Sequence, residues 1–514
     1  MSTQSEPSIP FAPQGELAPR RRLPPTRYLL AAELLLAALL GIVTIGRRSF
    51  FLDETVSVTI AKLPWHQFTH IVRTREGNMV LYHLLLSGWM HLGSSEAVVR
   101  LLSVIAFVAS VAALYWLARR LAGQRVALLA GLLLAVDPFM IRYAQTARGY
   151  ELSVLLVTCA TLLFARALER QTWGAWLSYS LVAALGVYAH FFALLIPAAH
   201  ALSLICVPPE RLRWRKLLGA AGALLVFLLP FFYLLSQNAS SGVEWSAGNP
   251  IGRLFTKLHE HPPLAALFLL LCAALAIASV LLLRRWRGSA FRSQESWRWA
   301  LPLCWLIVPP AIVVVVAVVV RPLFVPYYFM VCLPAAVLLA ALLIERLRAP
   351  QTVLAVGLTA ILLLGSLADD ARWYHSGSTE EWRGATRYVI ANDRPGDGVM
   401  FVAPYVRLSF GVYLDRESKA RRSIAPKPVY PSAPFGSDEI RFDYYIPISA
   451  QDVRSSAARF SRIWLVASHT SINGQVDQRY TATLRGLGEA GFSAGPRRKF
   501  AGVTIVLYES HRSS

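Results

Sequence analysis

Charged residues are scarce in this chain: they make up 16% of its 514 positions, whereas 55% of its residues are hydrophobic. Soluble domains carry about 25% charged residues, so this composition excludes an ordinary soluble protein. Cysteine is scarce too, which argues against a disulfide framework and against a cysteine-based metal site. The five cysteines all lie inside apolar segments, at Cys159, Cys206, Cys272, Cys304 and Cys332.

The first 27 residues lack an apolar core of the kind that a cleaved signal peptide needs. They are rich in proline, serine and arginine. We therefore expect residues 1–27 to form a disordered cytoplasmic tail, and the apolar segment that follows to act as an uncleaved signal anchor.

Long apolar runs dominate the next part of the chain. A helix needs about 17–22 apolar residues to cross some 30 Å of hydrocarbon, and residues 28–367 contain about eleven such runs. The sequence thus predicts a polytopic α-helical membrane protein with about 11 transmembrane helices. The runs lie near 28–46, 98–118, 126–141, 149–165, 173–190, 191–207, 217–235, 264–283, 299–320, 323–344 and 351–367.

The apolar stretch from Leu81 to Leu92 is too short to span a bilayer, and we interpret it as an interfacial helix in the first outer loop. Lys and Arg are more frequent in alternate loops, which places the N-terminus in the cytoplasm by the positive-inside rule. Eleven spans then put the C-terminal segment outside. The predicted location is the cytoplasmic (inner) membrane.

The formal net charge is +21. This charge is spread over many short loops without interleaved aromatic residues, so the pattern does not indicate a nucleic-acid partner. Anionic membrane lipids are the partner that it favours.

From about residue 368 to residue 514, charged residues and turns return. Helical spacing at 380–393 and 480–490, with strand-like runs at 399–402, 463–466 and 503–507, predicts a small extracytoplasmic α/β domain. The middle of this segment, about 416–450, looks irregular. No cluster of acids and arginines stands out in it, so we expect this domain to affect acceptor recognition or stability more than donor cleavage.

Polar side chains gather at the predicted outer mouth of the bundle. Carboxylates can accept a proton from a hydroxyl, and arginine presents a planar fork of donors to phosphate oxygens. The combination predicts transfer of a group from a phosphate to a hydroxyl at the membrane surface. The residues are Asp53, Glu54, Asn78, Tyr82, Arg142, Tyr143, Gln145, Arg148, Tyr150, Tyr188, His190, Arg321, Tyr327 and Tyr328.

Each of these residues also has a purely structural interpretation. Asp53 would make an ordinary N-cap for a helix starting near Thr55, and Arg142 and Arg148 would serve as snorkelling anchors. His190 would then be a packing residue, and the tyrosine pair at 327 and 328 part of an aromatic belt. At the level of function, a lipid-linked saccharide flippase or transporter and a membrane scaffold with an outer sensing domain remain alternatives.

Several short motifs occur in an order that resembles the bacterial GT-C glycosyltransferases, the superfamily of protein O-mannosyltransferases and the lipid A aminoarabinose transferase. The resemblance covers about residues 28–345. It implies an inverting transferase that takes a sugar from a polyprenyl-phosphate carrier and passes it to a lipid, glycan or protein hydroxyl outside the cytoplasm. The motifs are Leu52-Asp-Glu54, Asn78 to Leu86, Val99 to Ser103, Ala118 to Leu121, Asp137 to Phe139, Arg142 to Tyr150 and Tyr188 to Phe192.

The resemblance also implies roles for individual residues. Asp53 falls on the acidic motif of the first loop and would deprotonate or orient the acceptor hydroxyl, while Arg142 and Arg148 would stabilise the departing phosphate. Glu54 and His190 become candidate ligands of a divalent metal. Two departures weaken a metal-assisted variant: Thr146 stands where many relatives have Glu, and Asn78-Met-Val stands where many have His-Pro-Pro.

Overall fold

The computed structural model describes residues 26–237, 262–286, 291–319, 326–346, 352–421, 425–432, 448–472 and 475–511, apart from residues 75 and 404. Within these ranges the protein is mostly helical, with a small sheet near the C-terminus. Arg321 lies outside the described residues, as does the region 433–447 within the segment predicted to be irregular.

Fifteen described α-helices lie between residues 26 and 375, and α5 packs against α1, α6 and α8 in their midst. They are α1 (Thr26–Ile42), α2 (Leu52–Ala61), α3 (Trp65–Thr74), α4 (Val80–Trp89), α5 (Glu96–Ala122), α6 (Gln124–Ala135), α7 (Pro138–Ala144), α8 (Tyr150–Arg170), α9 (Trp173–Ala189), α10 (Ile196–Ser203), α11 (Trp214–Gln237), α12 (Pro262–Trp286), α13 (Gln294–Val319), α14 (Leu333–Arg346) and α15 (Thr352–His375).

Five of the described helical segments are long and apolar enough to cross a membrane, and the count rises to six if α6 and α7, which meet at a bend of 56°, form one span. Each of the eleven predicted apolar runs overlaps helix, but α1 and α9 have only 17 residues. A polytopic helical architecture is therefore confirmed, whereas the predicted number of spans remains a prediction.

Three short helices, α2, α3 and α4, fill the loop between α1 and α5, where the sequence predicted a short helix over Leu81–Leu92. Interfacial helices were predicted in this first outer loop, but bounds were given only for the one over Leu81–Leu92. The helix α2 begins at Leu52 with Phe51 as its N-cap, so Asp53 is the second helical residue and does not cap a helix that starts near Thr55.

The C-terminal part begins with α16 (Trp382–Asn392), which confirms the predicted helix at 380–393. The strands predicted at 399–402, 463–466 and 503–507 and the helix predicted at 480–490 are also present. The remaining elements are β1 (Gly398–Phe401), α17 (Val406–Arg421), β2 (Lys427–Pro428), α18 (Ala450–Ala457), β3 (Arg462–Ala467), β4 (Ser471–Ile472), β5 (Gln475–Val476), α19 (Gln478–Glu489), β6 (Phe492–Phe500) and β7 (Val503–Ser510).

Five strands form one mixed sheet in the order β2-β1-β3-β7-β6, with β1 parallel to β2 and β3, and β7 antiparallel to β3 and β6. Alternate residues of a strand face opposite sides of a sheet. In β3, Trp464 packs with the core that contains α16 and α17, and Leu465 packs with α18 and α19. Helices therefore cover both faces of the sheet.

Glu96, the first residue of α5, joins the C-terminal part to the bundle. Its Oε1 accepts hydrogen bonds from Tyr413 Oη at 2.6 Å and from Arg383 Nη2 at 2.7 Å. Arg416 lies 3.4 Å from its Oε2. These contacts hold α16 and α17 against the start of α5.

Candidate active site

Asp53 and Glu54 are neighbours in the first turn of α2, but their side chains enter different surroundings. Successive helical residues point about 100° apart because a turn holds 3.6 residues. Glu54 is fully buried, whereas Asp53 remains partly exposed. The two acids therefore have different chemical roles available to them.

Glu54 is held by Arg100 of α5. Its two oxygens accept from Arg100 Nε and Nη2, each at 2.7 Å, and Oε1 also accepts from the backbone amide of Ala147 at 2.8 Å. Arg100 donates further to the backbone carbonyls of Ile45, Arg48 and Ser49. A buried two-point ion pair with this many partners fixes the local backbone, so the geometry favours a structural role for Glu54.

The Asp53 carboxylate, by contrast, has no hydrogen bond or ion pair with any residue that the structure describes. Arg148 lies beside it: Arg148 Nη1 donates to the Asp53 backbone carbonyl and to Ser57 Oγ, both at 3.3 Å. The Nε of Arg148 is buried and has no partner among the described residues. A free carboxylate and a buried guanidinium with unused donors thus lie next to each other.

Glu76, in the turn before α4, is a third member of this group, and the sequence analysis did not single it out. Burial, the dominant cause, and the charge of Asp53 raise the pKa of Glu76 to about 7, although Arg148 opposes the shift. Burial would lower the pKa of Arg148, but the charges of Asp53 and Glu76 help to raise it overall. In the sequence, Glu76 is a single acid in a loop and belongs to none of the motifs, so no pattern could have identified it.

Aromatic side chains form one wall of the site. The ring of Tyr150 lies 5.1 Å from Tyr143, 5.6 Å from Tyr327 and 5.3 Å from His190. Tyr328 lies 4.7 Å from His190. Four separate chain segments thus meet here, and the phenol and imidazole faces provide the kind of surface on which a sugar ring packs.

The polar groups of His190, Asn78 and Tyr82 contact nearby protein groups. His190 Nδ1 accepts from the amide of Phe192, while its buried Nε2 has no partner among the described residues. Asn78 Oδ1 accepts from the amide of Phe191 at 3.3 Å, and Tyr82 Oη lies 3.3 Å from Ser103 Oγ. These contacts position the aromatic wall.

Tyr188, predicted with His190, lies apart from the wall. Its hydroxyl donates to the Phe227 carbonyl of α11 at 3.0 Å, and its ring packs edge-on against Phe231. The contacts of this tyrosine therefore lie between α9 and α11.

Arg142 and Gln145 take part in a network with the end of α15. Arg142 Nη2 pairs with Asp369 at 2.7 Å. Gln145 Oε1 accepts from Arg48 at 2.5 Å and from the indole of Trp373 at 3.0 Å, while its amide donates to the Val43 carbonyl. In this arrangement both residues bind protein groups, and Arg148 is the arginine beside Asp53.

A metal ion would need about three to four ligands from the residue types that bind zinc or magnesium. The described part of the chain contains no group of three His, Cys, Asp or Glu side chains suitable for this. Glu54 already binds Arg100 through both oxygens. The predicted candidates Glu54 and His190 therefore do not fit a metal centre in this arrangement.

Glu380 of the C-terminal domain contacts the first turn of α2. It lies in the segment predicted as helix, but it was not among the candidate site residues. Its Oε2 accepts from the amide of Leu52 at 3.0 Å and from the indole of Trp382 at 2.6 Å. Its Oε1 lies 3.2 Å from His469 Nε2. The sequence predicts no prominent cluster of acids and arginines in this domain, and what the structure brings against the first turn of α2 is an acid and a histidine. The groups are about 90 residues apart in sequence, so no local pattern links them.

Comparison with known proteins relates this geometry to a family. Residues 79–235 match the family model described as dolichyl-phosphate-mannose-protein mannosyltransferase. No curated protein matches the chain in sequence.

Among solved structures, ArnT from Cupriavidus metallidurans in the apo state is 14% identical, with a TM-score of 0.61, over 94% of this chain and 97% of that chain. The same protein bound to undecaprenyl phosphate is 13% identical, with a TM-score of 0.59. The oligosaccharyltransferase of Archaeoglobus fulgidus, in complex with Zn and sulfate, is 14% identical, with a TM-score of 0.55, over 92% of this chain and 72% of that chain.

The similarity to these solved structures extends over more than nine-tenths of the chain and includes the C-terminal domain. At this level of identity it establishes the fold, and the family model adds a sequence match across α4 to α11. The resemblance predicted from the sequence is therefore confirmed: this chain has the fold of the membrane-embedded GT-C glycosyltransferases and matches one of their family models over residues 79–235.

Proposed function

We propose that the protein is an inverting glycosyltransferase that moves a sugar from a polyprenyl-phosphate carrier to a hydroxyl at the outer face of the cytoplasmic membrane. The observation that carries the proposal is the position of Arg148, which donates to the Asp53 backbone carbonyl beside a carboxylate that has no partner among the described residues. The buried Nε of Arg148 has no partner among them either. The complex of ArnT with undecaprenyl phosphate supports the choice of carrier.

Asp53 supplies the proton acceptor. The acceptor hydroxyl gives its proton to the carboxylate as its oxygen attacks the anomeric carbon, on the face opposite the phosphate. General base catalysis of this kind contributes about 10²–10⁴-fold. An unpaired carboxylate is available for the task, whereas Glu54 would first have to release Arg100.

Arg148 supplies the charge that stabilises the leaving group. When the bond between the anomeric carbon and the phosphate oxygen breaks, its electron pair leaves with the phosphate. A guanidinium held in place beforehand interacts with this charge without reorganising solvent. Because a phosphate is a good leaving group, no separate acid is needed to protonate it.

The aromatic wall supplies the sugar site. Tyr143, Tyr150, Tyr327 and Tyr328 offer ring faces and hydroxyls beside Arg148. Apolar grooves between the helices would hold the polyprenyl chain. The proposal leaves the identity of the sugar open. The acceptor is a lipid, a glycan or a protein with a free hydroxyl.

A transfer assay on the purified full-length protein tests the proposal. Several radiolabelled polyprenyl-phosphate sugars are offered, with a membrane extract as acceptor pool and water as the default acceptor. We expect the wild type to release the labelled sugar from at least one donor. The control Glu489→Gln, which changes an exposed carboxylate in α19, should do the same. Asp53→Asn should lose this activity.

Movement of an intact donor across vesicles without cleavage would identify a flippase instead. Absence of both cleavage and movement with every donor would contradict the proposed function.

A further inference from the structure

The side chain of Glu380 bridges two parts of the protein at the site. One oxygen accepts from the backbone amide of Leu52, the residue before Asp53, and the other lies 3.2 Å from His469 Nε2. The Glu380 carboxylate of the C-terminal domain thus connects the His469 imidazole to the first turn of α2, which carries Asp53, the proposed base.

His469 has a left-handed backbone conformation. It lies in the loop between β3 and β4 with φ of 52°, in the left-handed region that L-residues seldom adopt. Such residues concentrate at functional sites, where the surrounding structure holds them. Here the conformation brings the ring to Glu380 and leaves 40% of the side chain accessible.

Charged and titratable groups from several elements lie around His469. Glu380 lies before α16, Asp53 lies on α2, and the ring of Tyr405 is 6.0 Å away. Arg479 lies 5.4 Å from the Tyr405 ring and pairs with Asp477. The hydrogen bond to Glu380 and the charges of Glu380 and Asp53 raise the pKa of His469, while burial opposes them.

We propose that His469 receives the proton that Asp53 takes from the acceptor and passes it to water, so that the C-terminal domain contributes a proton relay to the site. This inference rests on the proposed transfer reaction. That reaction releases one proton for each acceptor hydroxyl consumed, and the proton must leave Asp53 before the next turnover. Glu380 binds both the Leu52 amide and His469 Nε2, which places the imidazole beside the first turn of α2, and the His469 side chain is open to solvent.

The hydrogen bond to Glu380 determines which nitrogen can act. With Nε2–H donating to Glu380, the lone pair of the neutral ring is on Nδ1, and none of the described residues donates to that atom. Nδ1 takes the proton, Glu380 stabilises the imidazolium, and Nδ1 then releases the proton to water. The O–H bond of the protonated Asp53 carboxyl breaks as the Nδ1–H bond forms, and the N–H bond then breaks as a water molecule accepts the proton.

The direction of the pH effect follows from this assignment. A protonated ring cannot accept another proton, so kcat of the wild type should fall as the pH drops through the raised pKa of His469. In His469→Gln the side-chain amide still donates to Glu380 but carries no titrating proton. We expect kcat to drop about 100-fold, at the low end for proton-transfer groups, and the acid limb to move to lower pH.

The experiment measures kcat against pH for the wild type, His469→Gln and His511→Gln, the last a matched change at an exposed position of the same domain. Imidazole is also added to His469→Ala and to Asp53→Asn. We expect imidazole to restore His469→Ala in a concentration-dependent manner and to leave Asp53→Asn inactive. The rescue also shows that His469→Ala is folded.

Wild-type kcat and an unchanged acid limb in His469→Gln would overturn the relay, with transfer by the wild type still intact. The relay would also be overturned if His469→Ala has the same unfolding temperature as the wild type and imidazole does not restore its activity. If the wild type itself transfers no sugar, the proposed function fails and the relay fails with it.

Discussion

Arg100 binds both carboxylate oxygens of Glu54 at 2.7 Å inside the bundle, which leaves the adjacent Asp53 as the acid without a partner among the described residues. Two acids that are neighbours in sequence thus differ because one faces a buried arginine and the other faces the site. The same contrast determines what substitution of each should do.

Asp53→Asn should lower turnover by about 10²–10⁴-fold, because the amide cannot accept the acceptor proton. Donor binding should change little, since the side chain is not the phosphate ligand. Single-turnover transfer and donor affinity, measured on the same preparation, separate the two effects. A near-normal rate in folded Asp53→Asn would show that this carboxylate is not the base.

Glu54→Gln should mainly damage stability. Breaking a buried ion pair by neutralising one partner costs about 3–5 kcal/mol, because the other charge stays buried. We expect a lower unfolding temperature in detergent and less folded protein, with a smaller loss of turnover per folded molecule than in Asp53→Asn. An unfolding temperature equal to that of the wild type would contradict the structural role.

Arg148→Ala should weaken donor binding and turnover together, because a phosphate ligand acts in the ground state and in the transition state. Arg148→Lys should recover only part of both, since lysine lacks the planar fork of donors. Arg170→Ala, an exposed change at the opposite end of α8, is the control. Full recovery with lysine would indicate that a point charge suffices.

Glu76 should make donor binding depend on pH. Its pKa is raised to about 7, so it ionises as the pH rises through neutrality and then competes with the donor phosphate for Arg148. We expect donor affinity to fall above pH 7 in the wild type and to stay level in Glu76→Gln. Titration of donor binding between about pH 6 and pH 8.5 measures this. A parallel fall in both proteins would assign the effect to another group.

The site and the C-terminal domain should lie on the outer side of the membrane. A cysteine introduced by Ser376→Cys or His66→Cys, both exposed positions, should react with an impermeant thiol reagent in intact cells. Glu210→Cys, in the loop before α11, should react only after lysis. The unmodified protein, with its five cysteines in apolar segments, gives the background. The reverse pattern would overturn the topology and the choice of a lipid-carried donor.

Composition and hydrophobic periodicity determined the helical membrane architecture, because each apolar run must satisfy its backbone internally to enter lipid. Short motifs in order indicated the family resemblance, and the motifs Arg142–Tyr150 and Tyr188–Phe192 supplied Tyr143, Tyr150 and His190 of the aromatic site. Short strand-like runs likewise predicted β1, β3 and β7. These features depend on neighbours in sequence, and for that reason they could be predicted.

Only the tertiary structure decided how each polar residue is used. The sequence offered Asp53 as the base and Glu54 as a candidate metal ligand, and the contact of Glu54 with Arg100, 46 positions further along the chain, favours a structural role for Glu54. It marked Arg142 and Arg148 alike, and Asp369 of α15 binds the first. Glu76, Glu380 and His469 have no motif, because their surroundings come from distant segments of the chain. The charge and burial around a site residue depend on all the segments that pack against it, so they cannot be predicted from its neighbours in sequence.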